Sequence, residues 1–191
     1  MLLQEYRKPG VSIDWIINET KRPKIGLQEK SKSMAVEIRC AESSDYKGCV
    51  KLLSQLQAAT RDEKNIEQGE GPASFSGKIF EQLLTGERGR VLVAEETDEG
   101  TDEELLGMAT VSYNLALRYD GEYCQLEELI VDPNARGKNV GGLLVIQTVD
   151  DARTRGCQEF GLYLLETTEH NRPFYEKYGF KGIGSEMRQV L

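Results

Sequence analysis

The sequence lacks any run of about 18 or more apolar residues, so no segment of its 191 residues is predicted to span a membrane. Its first residues, Met1 to Tyr6, also lack the long apolar core of a secretory signal. Histidine is nearly absent, and the four cysteines show no Cys-x-x-Cys spacing. Because zinc needs clustered nitrogen and sulfur ligands, no metal site is predicted. We expect buried thiols and a reducing, cytoplasmic location.

An excess of basic residues is missing as well. The formal net charge is −8, from 24 Lys and Arg against 32 Asp and Glu. Nonspecific binding to nucleic acid needs a basic face, so a nucleic-acid-binding protein is not predicted. The acidic balance is compatible with a cationic or amine-bearing acceptor. The 39% hydrophobic content is ordinary for a single soluble domain.

The first 33 residues differ from the rest of the chain in charge. They carry seven Lys or Arg against four Asp or Glu, so this segment is about +3 and the remainder is about −11. We interpret residues 1–33 as an extension that is partly disordered or docks through Trp15, and residues 34–191 as one compact domain. A peptide-like arm that mediates dimer contact is a further hypothesis for the same segment.

Hydrophobic alternation and helical periodicity together predict the order of elements. Strands are predicted near residues 36–40, 90–95, 105–115, 123–131, 160–165 and 181–191, and helices near 49–56, 75–84, 140–155 and 173–178. The central strands follow one another as hairpins, whereas the strand after the helix at 140–155 is expected in a buried parallel position. The predicted fold class is therefore α/β (α+β), with a mixed, mostly antiparallel sheet flanked by helices.

The sharpest local pattern is a strand that enters a glycine-containing loop and then a helix, from Val131 to Leu144. The first amides of a helix have no internal partner, and with the helix dipole they form an anion site. Glycines let a phosphate approach the backbone, and Arg136 and Lys138 add positive charge. The frame is neither a P-loop nor the GxGxxG dinucleotide fingerprint. The alternative is an ordinary helix start with packing glycines.

This segment resembles the acyl-CoA signature of the GNAT superfamily of N-acetyltransferases, whose core reads Arg or Gln, two residues, Gly, one residue, and Gly or Ala. Arg136, Val140 and Gly141 fit that frame, whereas Asn139 stands where the family has its first glycine. Asn tolerates left-handed backbone angles better than most residues. The segments 126–133 and 174–180 match the family in the same order. The resemblance covers roughly residues 35–191 and implies a GNAT-like acyl-CoA N-acyltransferase fold.

The resemblance also implies where acetyl-CoA, the acyl donor, binds. The strand containing Glu127 and the strand from Phe160 would splay apart, and the donor would lie in the gap. Backbone groups of Leu129 and Val131 would bind the pantetheine arm like an extra strand, and amides of residues 138–142 would bind the pyrophosphate. The implied donor-binding residues are Leu129, Ile130, Val131, Arg136, Gly137, Lys138, Asn139, Val140, Gly141, Gly142, Asn171 and Phe174.

Acyl transfer to an amine needs a base, an oxyanion donor and a proton for the leaving thiolate. Tyr175 matches the family's Tyr before the Gly-Phe pair and is the predicted general acid, since a phenol with a pKa near ~10 is protonated at neutral pH. Its alternative role is core packing, and Tyr178 is a weaker candidate. Glu127 is the predicted base, directly or through a water, because it shares strand parity with Leu129, whereas Glu128 would point to the opposite face. The alternative for Glu127 is a solvated or salt-bridged carboxylate.

The predicted function is direct transfer of an acetyl group from acetyl-CoA to an amine, without a covalent enzyme intermediate. The alternative is a non-catalytic CoA-binding or partner-interaction module with the same fold, which Asn139 favours. The acceptor stays open among a polyamine, an amino acid, an aminoglycoside-like sugar and a protein amine. His170, the single histidine, is expected in a surface or capping role. A homodimer is expected only by analogy with the family.

Overall fold

The computed structural model of the protein describes residues 35–60, 77–97, 104–185, 187 and 189. The predicted extension, residues 1–33, lies outside these residues and stays a prediction. Within the described residues the elements are β1 (Val36–Cys40), α1 (Tyr46–Thr60), α2 (Gly77–Leu84), β2 (Gly89–Glu96), β3 (Gly107–Ala116), β4 (Gly121–Val131), α3 (Val140–Arg155), β5 (Phe160–Leu162) and α4 (Arg172–Lys177).

The strands form one mixed sheet in the order β1-β2-β3-β4-β5. The first four strands pair antiparallel, and β5 pairs parallel to β4. This is the geometry that the chain order requires, because hairpins join antiparallel neighbours whereas the α3 crossover returns the chain to a parallel position. The predicted fold class, a mostly antiparallel mixed sheet with flanking helices, is confirmed.

Helices cover both faces of the sheet because neighbouring residues of a strand point to opposite sides. Leu92 packs in a cluster with Leu144 of α3, whereas the next residue, Val93, packs with Leu52 of α1 and Phe80 of α2. Fully burying one such aliphatic side chain is worth about 1.5–3 kcal/mol. The two clusters, which we call the α3-side core and the α1-side core, hold the sheet rigid around the candidate site.

Helix α3 has the bounds that its sequence signals predict. It begins after Asn139, which adopts a left-handed backbone conformation, and it ends at Gly156, whose φ is 87°. The Gly156 N–H donates to the carbonyls of Ala152 and Arg153, so the last turn is closed by backbone hydrogen bonds. Both ends of the helix that forms the predicted anion site are therefore fixed by local chain geometry.

The predicted last strand, Lys181 to Leu191, is wrong for the residues of that segment that the structure describes. Residues 181–185, 187 and 189 adopt no strand or helix. Ile183 and Met187 expose 92% and 96% of their surface. A strand needs a paired neighbour, and Gly182 and Gly184 lower the strand propensity of this segment.

No helix among the described residues combines the length and the apolar character needed to cross a lipid bilayer.

Candidate active site

The sheet opens between β4 and β5. The two strands pair only over Cys124–Leu126 and Phe160–Leu162, although β4 continues to Val131. In the described part of the chain no strand pairs with that edge of β4 beyond Leu126. Its backbone N–H and C=O groups are therefore open to an extended ligand that carries amides of its own. This is the splaying that the sequence resemblance implies.

A β-bulge in β4 marks the point where the opening begins. Thr110 of β3 pairs with Glu128, and the next residue, Val111, pairs with Leu126. Glu127 is therefore an extra residue that has no register partner on the β3 backbone. Leu126 and Leu129 consequently both contact the α3-side core, although residues three apart in a regular strand face opposite sides. A bulge increases the local twist of its strand, and this bulge directly follows Leu126, the last residue of β4 that pairs with β5.

The bulge changes where the two glutamates point. The carboxylate of Glu127 accepts a hydrogen bond from the Ser112 hydroxyl. Glu128 is the register partner of Thr110, which lies two residues before Ser112 on the same face of β3. The prediction that Glu127 and Glu128 face opposite sides is therefore wrong, and Glu127 does not share the face of Leu129. Both carboxyl groups belong to the α1 side of the sheet.

The two glutamates differ in environment. Glu127 is exposed. The Ser112 hydroxyl, which donates to its carboxylate, accepts a hydrogen bond from the Asn114 amide at 2.9 Å. Glu128 is largely buried, and this burial, followed by the nearby charge of Glu127, raises the pKa of Glu128 to about 7. A carboxyl group with such a pKa can accept a proton at neutral pH. The sequence favoured Glu127 as the base. The signal for a bulge was the pattern Leu126-Glu127-Glu128-Leu129, in which two leucines three residues apart can both reach one core only if the strand contains an extra residue.

Thr110 adds an unusual polar atom to this face. Its side chain is only 5% exposed, and its hydroxyl oxygen has no hydrogen-bond partner among the described residues. Buried hydroxyls are normally hydrogen-bonded, and an unpaired one costs free energy. Thr110 is the register partner of Glu128, so its side chain and the carboxyl group of raised pKa lie on the same face of neighbouring strands.

The loop after β4 leads into the start of α3, where the sequence predicts an anion site. Asp132 accepts from the Asn134 N–H at 2.9 Å and from the Gln55 amide at 3.2 Å. These two bonds hold the pKa of Asp132 below its ordinary value and tie the loop to α1. Gly137 has a φ of 79° and Asn139 has a φ of 62°, so two residues of the loop adopt positive φ angles before the helix begins.

The first amides of α3 point into this loop. The Asn139 side chain does not cap the helix, so the N–H groups of Val140, Gly141 and Gly142 have no partner within it. The helix dipole adds positive potential at the same place, and the side chains of Arg136 and Lys138 are exposed there. Asn139 adopts the left-handed conformation that a glycine would adopt at its position, so this departure from the family pattern leaves the loop geometry intact.

Helix α4 packs against the start of α3. A Cβ atom added to Gly141 would lie 3.3 Å from Val131 Cγ2 and 3.5 Å from Phe174 Cζ. The Tyr178 hydroxyl donates to Asn139 Oδ1 at 3.2 Å. The aromatic side chains of α4 and the residue that follows it thus line the loop from one side.

Tyr175 lies on the opposite side of β4 from Glu128. Its ring is half-buried against the α3-side core, which Leu129 and Val131 of the open edge also contact. Burial raises the pKa of Tyr175, so its hydroxyl keeps its proton at neutral pH. No described residue forms a hydrogen bond with this hydroxyl.

The remaining predicted residues divide into exposed and buried ones. Asn171 and His170 are exposed at the start of α4, and Ile130 is buried in the α1-side core. Cys124 is fully buried, and burial raises the pKa of its thiol to about 12, so it is protonated at neutral pH. The described residues contain no group of three or more His, Cys, Asp or Glu placed to hold a metal ion.

Comparison with known proteins places this geometry among acetyltransferases. The sequence model of the acetyltransferase (GNAT) family matches residues 54–180. The chain is 30% identical over 154 residues to the Oryza sativa subsp. japonica protein named "Probable glucosamine 6-phosphate N-acetyltransferase 2", covering 80% of this chain and 86% of that protein. It is 26% identical over 161 residues to the glucosamine 6-phosphate N-acetyltransferase of Trypanosoma brucei brucei, covering 82% of this chain and 96% of that protein.

A solved structure supports the same fold. The crystal structure of glucosamine-6-phosphate N-acetyltransferase from Arabidopsis thaliana matches with a TM-score of 0.64 at 24% identity, covering 82% of this chain and 98% of that one. At this identity the likeness concerns the fold alone, and it agrees with the five-stranded mixed sheet described above.

Proposed function

The chain belongs to the acetyltransferase (GNAT) family, and we propose that it transfers an acetyl group from acetyl-CoA to the amine of an amino sugar phosphate. Membership of the family supports acetyl transfer to an amine. The names of the relatives that align over most of this chain support an amino sugar phosphate as the acceptor. The cytoplasmic location and the homodimer stay predictions.

The open edge of β4 next to the anion site is the observation on which the proposal rests. β4 loses its β5 partner after Leu126, and the chain leads from that free edge directly into the loop before α3. A donor with an extended amide-bearing arm and a pyrophosphate fits this sequence of features, the arm along Leu129–Val131 and the pyrophosphate at the amides of residues 140–142. The alternative of a non-catalytic module was favoured by Asn139, which here keeps the required backbone conformation.

The reaction requires one proton to leave the attacking amine and one to reach the leaving thiolate. The amine nitrogen attacks the thioester carbonyl carbon, the new C–N bond forms, and the C–S bond breaks. We place Glu128, rather than Glu127, as the group that takes the amine proton, because burial gives its carboxyl a pKa of about 7. We keep Tyr175 in the role predicted from the sequence, as the group that donates its hydroxyl proton to the thiolate.

The two groups act from opposite faces of the open edge. Tyr175 packs with the α3-side core, whereas Glu128 pairs with Thr110 on the α1 side. A donor arm that lies against β4 in the plane of the sheet would pass between them. The amine would then approach from the α1 side, where the base is, and the thiolate would leave toward the tyrosine.

Donor binding is the first test. Isothermal titration with acetyl-CoA is expected to show micromolar binding by the wild-type chain and none by an Arg136→Ala, Gly141→Asp double variant. Arg153→Ala is the matched control, because Arg153 is an exposed arginine of α3 whose ion pair, among the described residues, is with Asp150. Absence of binding by folded wild-type protein would refute the proposal.

Acceptor choice and the catalytic roles are tested by thiol release. Glucosamine 6-phosphate is expected to support turnover, with glucosamine and spermidine as comparison amines. Glu128→Gln and Tyr175→Phe are each expected to lower kcat by about 100-fold or more, whereas Glu127→Gln is expected to lower it less. Equal turnover with all three amines would contradict the amino sugar phosphate, and a larger loss in Glu127→Gln than in Glu128→Gln would return the base to Glu127.

A further inference from the structure

Asn139 has a tertiary partner that a glycine at its position would lack. Its Oδ1 accepts a hydrogen bond from the hydroxyl of Tyr178, which lies 39 residues further along the chain. Tyr178 follows directly after α4, and Asn139 is the last residue before α3. The bond therefore ties the end of α4 to the one residue of the anion loop at which the backbone turns into the helix.

The same two side chains lie directly over Gly142. A Cβ atom at position 142 would overlap the Tyr178 hydroxyl oxygen and Asn139 Oδ1. Tyr178 and Asn139 therefore meet close to Gly142, whose amide belongs to the first turn of α3. The ring of Tyr178 is also positioned by Phe174, at a centroid distance of 5.1 Å.

A left-handed residue other than glycine needs a compensating interaction. Asn is disfavoured there relative to glycine, although less than most residues, so the native contacts have to hold it in this conformation. A glycine can adopt the same backbone angles without strain, but it also populates many other backbone conformations, so it would not restrict the loop to this one. A hydrogen-bonded asparagine has one conformation, and the loop amides keep one arrangement.

We propose that Tyr178 is a positioning residue for the acyl donor, which acts through its hydrogen bond to Asn139. The bond holds the loop in the conformation in which the amides of Val140, Gly141 and Gly142 converge on the donor pyrophosphate. This inference rests on the proposed function, because it presupposes that the loop binds the pyrophosphate of acetyl-CoA. In this chain the pair replaces the backbone freedom that the family obtains from its first glycine.

A double-mutant cycle on the full chain tests the coupling of the two residues. Tyr178→Phe, Asn139→Gly and the double variant are compared by isothermal titration with acetyl-CoA. Tyr178→Phe is expected to weaken binding about fivefold, the effect of losing one hydrogen bond. In the Asn139→Gly background the same change is expected to have no further effect, since the acceptor oxygen is already absent. Tyr119→Phe is the control, because it removes a hydroxyl that donates to exposed Glu159, away from the loop.

Steady-state kinetics separate positioning from a general structural role. Tyr178→Phe is expected to raise the KM for acetyl-CoA by the same factor and to leave kcat and the KM for the acceptor unchanged. Without ligand, the melting temperature of Tyr178→Phe is expected to match that of Tyr119→Phe. A lower melting temperature for Tyr178→Phe would indicate a folding defect.

The outcomes separate the positioning role of Tyr178 from the proposed acetyltransferase function. If wild-type protein binds acetyl-CoA and Tyr178→Phe binds equally well, the positioning role is wrong and the proposed function stands. Additive effects in the double variant, or a fall in kcat with an unchanged KM, overturn it equally. If wild-type protein does not bind acetyl-CoA, both proposals fail.

Discussion

Replacing Glu128 by Gln should raise the free energy of unfolding, and the gain should grow with pH. Burial raises the pKa of this carboxyl from its ordinary 4.5 to about 7, so the folded state binds the proton more tightly than the unfolded state. Below pH 4.5 the group is protonated in both states and its ionisation costs nothing. As pH rises to about 7 the folded state is progressively destabilised, and above that pH the loss is complete, at most about 3 kcal/mol.

Glutamine is nearly the same size as glutamate but has no proton to lose, so it removes only the pH-dependent cost. Urea unfolding of wild-type and Glu128→Gln protein is expected to give similar stabilities near pH 4.5 and a gap approaching about 3 kcal/mol at pH 8. That gap is a large part of the ~5–15 kcal/mol typical of a domain, so it is readily measured. The variant is expected to be more stable and catalytically impaired.

Glu127→Gln is the control for this measurement. Its carboxylate is exposed and accepts a hydrogen bond from Ser112, and its charge is only the second cause of the raised pKa of Glu128. The substitution should therefore give a gain in stability at pH 8 that is much smaller than the gain from Glu128→Gln. An equal gain for Glu128→Gln at both pH values, or a loss that grows with pH, would show that Glu128 is not a buried acid of raised pKa.

Three further predictions concern the frame around the site. Thr110→Val removes a buried hydroxyl that has no hydrogen-bond partner in the part of the chain that the structure describes, and it should raise the free energy of unfolding by about 1 kcal/mol in urea. A loss of stability would mean that the hydroxyl is paired. Gly142→Ala should destabilise the protein, although alanine is favoured over glycine in a helix by about 1 kcal/mol, because the new Cβ would overlap two neighbouring oxygens. Gly161→Ala, where a Cβ meets nothing within 4 Å, is its control, and equal effects would contradict the overlap. Leu144→Ala empties a fully buried position in the α3-side core and should cost about 3 kcal/mol, and a loss below about 1 kcal/mol would show that the core closes around it.

The elements that depend on local signals are predictable from the sequence. Helix α3 begins and ends where expected because a loop of special backbone angles precedes Val140 and a glycine follows Arg155. The antiparallel strands are recognisable because their residues alternate between the two cores. Leu92 packs in the α3-side core and Val93 packs in the α1-side core. The anion loop also follows from neighbouring residues, and the family and fold that it suggested are confirmed.

The features that depend on distant partners are not predictable in the same way. The bulge at Glu127 is defined by the pairing of β4 with β3, so counting along one strand assigned Glu127 to the wrong face. The hydrogen bond between Tyr178 and Asn139 joins residues 39 apart, which no local pattern indicates. The last strand was expected from the local pattern of residues 181–191, but a strand also requires a neighbour to pair with.

The bulge at Glu127 also shows how little chain is needed to change the topology of a sheet edge. Leu126 and Glu128 face Val111 and Thr110, which are adjacent on β3, so β4 without residue 127 would keep both of its halves in register. Leu126 and Leu129 would still fill the α3-side core, and Ile130 the α1-side core. What such a shortened strand loses is the unpaired residue and the extra twist that a bulge adds, at the point where the pairing with β5 ends. A single inserted residue therefore marks the entrance to the candidate site, and the two cores do not depend on it.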